Sequence, residues 1–130
     1  MKKWLLGTRP SAFDLSTLLL RAAGSLLLFH GIPKLLNFNS IAEKFGDPIG
    51  IGPFASLALC VFAEFFCVVF IALGAFTRLA LIPVIINMAV IFFIVHGDEP
   101  VKERELSLIY LIIYLALFLT GPGKYSVDGL

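Results

Sequence analysis

The chain of 130 residues is poor in charge and in cysteine. Asp, Glu, Lys and Arg make up 15% of it, against about 25% in a typical soluble domain. The net charge is +1 and no basic stripe is present, so no nucleic-acid partner is predicted. Cys60 and Cys67 would lie about 10 Å apart along a helix axis, beyond the ~7 Å that a disulfide allows between Cα atoms. We interpret both as small buried hydrophobic side chains.

Sequence motifs typical of catalytic or cofactor-binding sites are also absent. The chain has no P-loop, no dinucleotide-binding fingerprint and no nucleophile elbow. It has no Cys-x-x-Cys-His sequence for covalent haem attachment. Two histidines without a third strong ligand do not predict a zinc site, so we predict no metal ligands.

Hydrophobic residues are what the chain has in excess. They make up 59% of it, and the mean hydropathy is +0.98, whereas a soluble domain is about 45–50% apolar. This composition predicts one all-α integral membrane domain covering residues 1–130, an antiparallel four-helix bundle in the lipid bilayer. The spans are predicted at about residues 15–36, 53–76, 79–96 and 104–120.

Basic residues divide unevenly between the two sides of the predicted bundle. The side that carries both termini has Lys2, Lys3, Arg9, Arg78 and Lys124. The other side has Lys44, Lys102 and Arg104 among a majority of acidic residues. The positive-inside rule therefore predicts that both termini are cytoplasmic.

Glu64 lies near the midpoint of the second apolar segment. An ionised carboxylate at that depth costs several kcal/mol unless a partner or water offsets the cost. Arg21 on the neighbouring span is its most plausible charged partner, because an arginine can bind a carboxylate through two hydrogen bonds. Two interpretations stay open: a structural pair that locks two helices, or a proton-exchanging carboxylate beside a bound ligand.

Polar residues on the other spans add candidates for the same site. His30 and Lys34 are four residues apart and share a helix face, and Lys34 could also extend to the outer membrane interface. Asn87 is expected to form an interhelical hydrogen bond. Tyr110 and Tyr114 fall on one stripe of the fourth span, where packing explains them as well as a ligand pocket does.

His30 and His96 stand in similar surroundings near the ends of the first and third spans. Phe29-His-Gly31 and Val95-His-Gly97 suggest two similar hairpins related by a pseudo-two-fold axis along the membrane normal. Two histidines on different membrane helices are also the arrangement of a bis-histidine haem b site. Nothing that flanks these histidines demands haem, which makes it the weaker interpretation.

Several stretches in a particular order carry a family resemblance. They are Leu18-Leu-Leu-Arg21, Phe29-His-Gly-Ile-Pro-Lys34, Glu64, Ala75-Phe-Thr-Arg-Leu-Ala80, Asn87, Val95-His-Gly97 and Thr120-Gly-Pro-Gly-Lys-Tyr-Ser-Val-Asp128. Together they resemble the DoxX family of small bacterial and archaeal membrane proteins. The resemblance implies a four-helix domain in a prokaryotic cytoplasmic (inner) membrane. It also implies a link to quinol oxidase or thiosulfate:quinone oxidoreductase activity, although many members have no assigned activity.

Three hypotheses of function follow. In the first, the chain is a quinone-linked oxidoreductase component, in a homodimer or with larger redox subunits. Its catalytic residues would be Glu64, His30 and Arg21. Its ligand-binding residues would be Lys34, Asn87, His96, Tyr110 and Tyr114. Electrons would come from a partner subunit or a soluble donor.

The second hypothesis is a non-enzymatic membrane scaffold or assembly subunit, whose polar residues lock helices together. The third is a small proton-coupled transporter. An intramembrane carboxylate with histidines nearby suits a transporter. No broken helix at mid-span is evident from the sequence, which disfavours it.

Overall fold

The computed structural model describes residues 12–43, 45–47, 50–95 and 97–129, and every regular element within them is helical. Three helices are long and apolar enough to cross a membrane, namely Phe13–Leu36, Pro53–Leu73 and Thr77–Val95. A fourth apolar helix, Glu105–Thr120, is shorter, with 16 residues. The structure therefore has the helical character and the apolar spans of an integral membrane protein.

The first long helix consists of two parts, α1 (Phe13–Ser25) and α2 (Leu28–Leu36). They are joined at a tightened turn, where the N–H of Leu27 donates to the carbonyl of Gly24 at 3.3 Å. A short helix, α3 (Phe38–Ala42), follows. The break separates Arg21, which lies on α1, from His30 and Lys34, which lie on α2.

The second long helix changes its winding at mid-length. It begins as α4 (Pro53–Val61), continues as a π-helical segment (Phe62–Cys67) and ends as α5 (Val68–Leu73). Glu64 lies within the π-helical segment. A π-helical turn is rare and is frequently found at functional sites. The apolar pattern of this segment does not predict the irregularity.

A short connection leads to the third long helix, α6 (Thr77–Val90), which is extended by a π-helical segment (Ile91–Val95). Gly74 ends α5 with a φ of 72°, a left-handed conformation that glycine adopts without steric cost. After a 3₁₀ turn (Val101–Arg104), α7 (Glu105–Thr120) packs along α6.

Large apolar side chains divide between a small core and an extensive outer surface. Leu57, Ile71, Leu81, Tyr114 and Leu117 are fully buried between helices. Many others point outward, including Leu19, Phe29, Leu36, Leu79 and Leu119. An outer surface this apolar suits contact with lipid tails rather than with water.

The segment after α7 folds back over the ends of α5 and α6. The N–H groups of Val127 and Asp128 donate to the carbonyls of Leu73 and Gly74 at 3.1 and 2.8 Å. The carboxylate of Asp128 accepts hydrogen bonds at 2.9 Å from the N–H groups of Phe76 and Thr77. These donors belong to the first turn of α6, which has no preceding carbonyls of its own, so Asp128 caps that helix.

Part of the predicted orientation depends on residues that the structure does not describe. Lys2, Lys3, Arg9 and Lys44 lie outside the described residues, and so does His96. The cytoplasmic placement of the termini and the repeat that relates His30 to His96 therefore stay predictions.

Candidate functional site

Glu64 is almost completely buried, with 1% of its surface exposed, and its ionic partner is Lys34. The ammonium Nζ of Lys34 lies 2.9 Å from Oε1 and 2.9 Å from Oε2 of the carboxylate. The predicted pairing of Glu64 with Arg21 is therefore wrong. The side chain of Lys34 points to this carboxylate, because α2 packs against the π-helical segment.

Two further side chains donate hydrogen bonds to the same carboxylate. The thiol of Cys60, one helical turn before Glu64, donates to Oε2. The amide Nδ2 of Asn87 on α6 donates to Oε2 at 3.2 Å, which is the interhelical bond expected of this residue. Lys34 Nζ also lies 3.5 Å from the sulfur of Cys60. The Glu64 cluster, formed by Lys34, Cys60, Glu64 and Asn87, thus joins three long helices.

The close approach of α2 to the π-helical segment depends on Gly31. This glycine is buried, and a Cβ atom added to it would overlap the backbone carbonyl of Glu64. Because Gly31 lies one turn before Lys34 on the same helix, the contact sets the distance between the ammonium and the carboxylate. The sequence reasoning assigned no role to Gly31, although a glycine inside an apolar helix is a known sign of close helix packing.

Arg21 lies at the other end of the first long helix and is 4% exposed. Its guanidinium donates to four carbonyls: those of Ile71 and Ala72 at 3.2 and 3.0 Å, and those of Pro122 and Tyr125 at 3.0 and 2.7 Å. Arg21 therefore ties the end of α5 to the segment after α7. The structure does not bring it into the Glu64 cluster, so it cannot polarise that carboxylate directly.

A cavity of about 280 Å³ opens beside the Glu64 cluster. Its polar lining comes from four elements of the fold and consists of His30, Lys34, Glu64, Arg104, Ser107 and Tyr110. The remaining lining is apolar, from Leu27, Met88, Ile91 and Leu106. A small, mainly apolar space with a few convergent polar groups is typical of a ligand site.

The aromatic side chains of α7 divide between this cavity and the core. The ring of Tyr110 meets His30 edge to face, with the centroids 6.5 Å apart, and both residues line the cavity. Tyr114 stacks on Tyr110 at 6.0 Å, but its hydroxyl donates to the carbonyl of Gly24 at 2.6 Å. Tyr110 is thus placed to contact a ligand, whereas Tyr114 supports it from within the helix packing.

Arg104 lines the cavity as well, and sequence reasoning had counted it only as a loop charge. Its Nη1 donates to the carbonyl of Phe92 at 2.9 Å, and its guanidinium lies 4.3 Å from the centroid of the Phe92 ring. Its Nε is buried and has no hydrogen-bond partner among the described residues. The one sign in the sequence was its position, since Arg104 directly precedes the apolar helix α7.

A second cavity of about 330 Å³ lies on the other side of the Glu64 cluster. Cys60 and Asn87 line it together with apolar side chains of α4 and α6, and Ile91 borders both cavities. The second cavity is almost wholly apolar, so the convergent polar groups belong to the first.

Metal and haem are the other groups that histidines and carboxylates could bind at such a site. In the part of the chain that the structure describes, no three His, Cys, Asp or Glu side chains come together as a metal site. The haem b hypothesis needs His96, which lies outside that part, and it therefore stays a prediction.

One comparison with known proteins gives a match. The DoxX family profile matches residues 16–97, which is more than half of the chain and includes Lys34, Glu64 and Asn87. No curated protein and no solved structure matches the chain.

Proposed function

The chain belongs to the DoxX family, and we propose that it is a quinone-linked membrane component that binds a quinone headgroup beside Lys34 and Glu64. The observation that carries the proposal is the convergence of polar side chains on one cavity inside otherwise apolar helices. Buried charges in such helices are costly and usually mark functional sites.

The residues around the cavity fit a quinone headgroup. A bound quinone supplies a two-electron acceptor that takes up two protons on its carbonyl oxygens. Lys34 and Tyr110 are hydrogen-bond donors for such oxygens, and Leu27, Met88 and Ile91 offer apolar contact to the ring. The cavity volume of about 280 Å³ is near the lower end of ligand sites, about 300 Å³, which suits a single ring system.

Glu64 and His30 are the proposed proton-exchanging groups. Oε2 of Glu64 accepts hydrogen bonds from Lys34, Cys60 and Asn87, whereas Oε1 accepts one from Lys34 alone. Oε1 therefore keeps acceptor capacity for a proton that arrives from the cavity. His30 is exposed at the cavity, and an imidazole can both donate and accept a proton, so it suits exchange with the surroundings.

Not every residue of the sequence-based site belongs to this proposal. Asn87 holds Glu64 in place from the side of the second cavity, and Tyr114 supports Tyr110. Arg21 holds the C-terminal segment. We assign these three residues positioning or structural roles rather than contact with the ligand.

The proposal includes a membrane arrangement of four spans with both termini in the cytoplasm of a prokaryotic cell. Three apolar helices of sufficient length and the packing of α7 against α6 support it. The electrons would come from a partner subunit or a soluble donor, within a homodimer or a larger redox complex.

A scaffold is the second candidate, because the Glu64 cluster joins three helices and already uses most of the acceptor capacity of the carboxylate. The spectrum and the extracted lipids of gently purified protein distinguish the candidates. A co-purified quinone, found by mass analysis, supports the first. A Soret band in the visible spectrum would instead support haem. Absence of both, together with failure to bind added 1,4-naphthoquinone, would leave the scaffold.

A further inference from the structure

Arg104 has hydrogen-bonding capacity that the described residues do not use. Its Nη1 and the face of its guanidinium are engaged by Phe92, which explains how the side chain is held. Its Nε is buried without an acceptor, and a buried donor without a partner costs about 1–3 kcal/mol. Nη2 of Arg104 stays accessible and donates to no described residue, so it is the donor that a ligand oxygen in the cavity can reach.

The charges of the cavity do not balance. Lys34 and Glu64 form the ion pair found among the described residues, and their charges cancel. Arg104 is always protonated, and no carboxylate among those residues forms an ion pair with it. The Lys34, Glu64 and Arg104 side chains of the lining therefore sum to one positive charge in a largely apolar setting, where a charge acts more strongly than in water.

We infer that Arg104 is a specificity residue that binds a negatively charged oxygen of the ligand, so that the cavity prefers an anionic quinone over a neutral one of the same shape. This inference rests on the proposed quinone function. To that function the inference adds the charge of the preferred ligand and the residue that selects for this charge. The acidic hydroxyquinones are the ligand class with this chemistry, because they carry an anionic oxygen on the ring at neutral pH.

Arg104 is positioned for this role by the element that carries it. It ends the 3₁₀ turn Val101–Arg104, directly before α7, and Ser107 and Tyr110 follow one and two turns later on the cavity side. The hydroxyl of Ser107 donates to the carbonyl of Arg104 at 2.9 Å and fixes the start of the helix. A ligand oxygen near Nη2 would therefore lie at one end of the cavity wall that Tyr110 continues.

A matched pair of probes tests the inference. 2-Hydroxy-1,4-naphthoquinone is ionised at neutral pH, whereas 2-methoxy-1,4-naphthoquinone has a similar outline and no charge. Wild-type protein in detergent should bind the anion about tenfold more tightly, the difference expected between a charge-assisted and a neutral hydrogen bond. Arg104→Gln should remove the preference, and Arg104→Lys should keep part of it. Lys102→Gln, an exposed residue of the same turn, serves as the control.

The outcomes separate this inference from the proposed function. If neither probe nor 1,4-naphthoquinone binds wild-type protein, the quinone function fails and the inference fails with it. If both probes bind equally, or if Arg104→Gln keeps the preference, Arg104 has only its structural role with Phe92 and the quinone site stands. Should Arg104→Gln fail to fold, Arg104→Lys decides the matter, because a preference kept in full without the guanidinium contradicts its role as the selecting group.

Discussion

Lys34 Nζ lies 2.9 Å from both carboxylate oxygens of Glu64, although the two residues are 30 positions apart and belong to different helices. Their attraction offsets the cost of placing either charge inside an apolar bundle. The geometry is complete only because Gly31 lets the helices approach and Asn87 and Cys60 occupy Oε2. This ion pair joins two helices and also places an ammonium and a carboxylate in the wall of the cavity.

Removing the ammonium should destabilise the fold strongly. Lys34→Met leaves a buried carboxylate without its ionic partner, so the free energy of unfolding should fall by about 3–5 kcal/mol. Adding Glu64→Gln to the same protein should recover much of the loss, because the uncompensated charge disappears. Unfolding in detergent measures both, with Lys102→Met as an exposed control. A double variant as unstable as Lys34→Met would contradict the ion pair.

Arg21 should matter for stability and not for ligand binding. Arg21→Lys keeps the charge but cannot reach four carbonyls, so the free energy of unfolding should fall by about 1.5–3 kcal/mol. The affinity for 1,4-naphthoquinone in the folded protein should not change. Arg78→Lys is a matched control, since Arg78 is exposed and donates to carbonyls of α7. A selective loss of affinity in Arg21→Lys would return Arg21 to the site.

Gly31 should tolerate no side chain. The Cβ atom of Gly31→Ala would overlap the carbonyl of Glu64, which forces α2 away from the π-helical segment. Overpacking of this kind costs about 1–3 kcal/mol. Thermal unfolding of Gly31→Ala should therefore occur well below that of Gly46→Ala, because an added Cβ at Gly46 meets no atom within 4 Å. Equal stability of the two variants would show that the contact is not tight.

Acid should weaken the cap at the start of α6. The backbone N–H of Thr77, aided by that of Phe76 and by the Thr77 hydroxyl, lowers the pKa of Asp128 below its ordinary value of 3.8. A carboxyl with a lowered folded-state pKa stabilises the fold above its unfolded-state pKa, and that stabilisation is lost as the pH falls through the folded-state pKa.

The stability difference between wild-type protein and Asp128→Asn should therefore be constant from pH 5 to 7 and shrink below about pH 4. Melting temperatures of the two proteins across this range measure it, and Asp98→Asn, at an exposed turn, serves as the matched control for the substitution. A difference that grows on acidification would mean that the carboxylate is not the capping species.

The helical character of the fold and most of the polar residues of the cavity could be predicted from the sequence. The apolar runs predicted membrane helices, and the isolated polar residues Glu64, Lys34, His30 and Tyr110 meet at one place. The partners were harder to predict. Arg21 and Lys34 are both plausible for Glu64 by charge, and only the packing of Gly31 against the π-helical segment decides between them. The π-helical segment has no hydrophobic periodicity from which it could be predicted. No local sequence motif marks Arg104 as a cavity residue.

Binding of 1,4-naphthoquinone to wild-type protein and to Glu64→Gln, compared in detergent at a temperature where both are folded, tests the account most directly. Asp98→Asn serves as the matched carboxylate control. We predict saturable binding to wild type and to Asp98→Asn, and binding to Glu64→Gln that is at least about tenfold weaker, a difference of about 1.4 kcal/mol. Equal affinity of wild type and Glu64→Gln would remove Glu64 from the ligand site and leave it a purely structural residue.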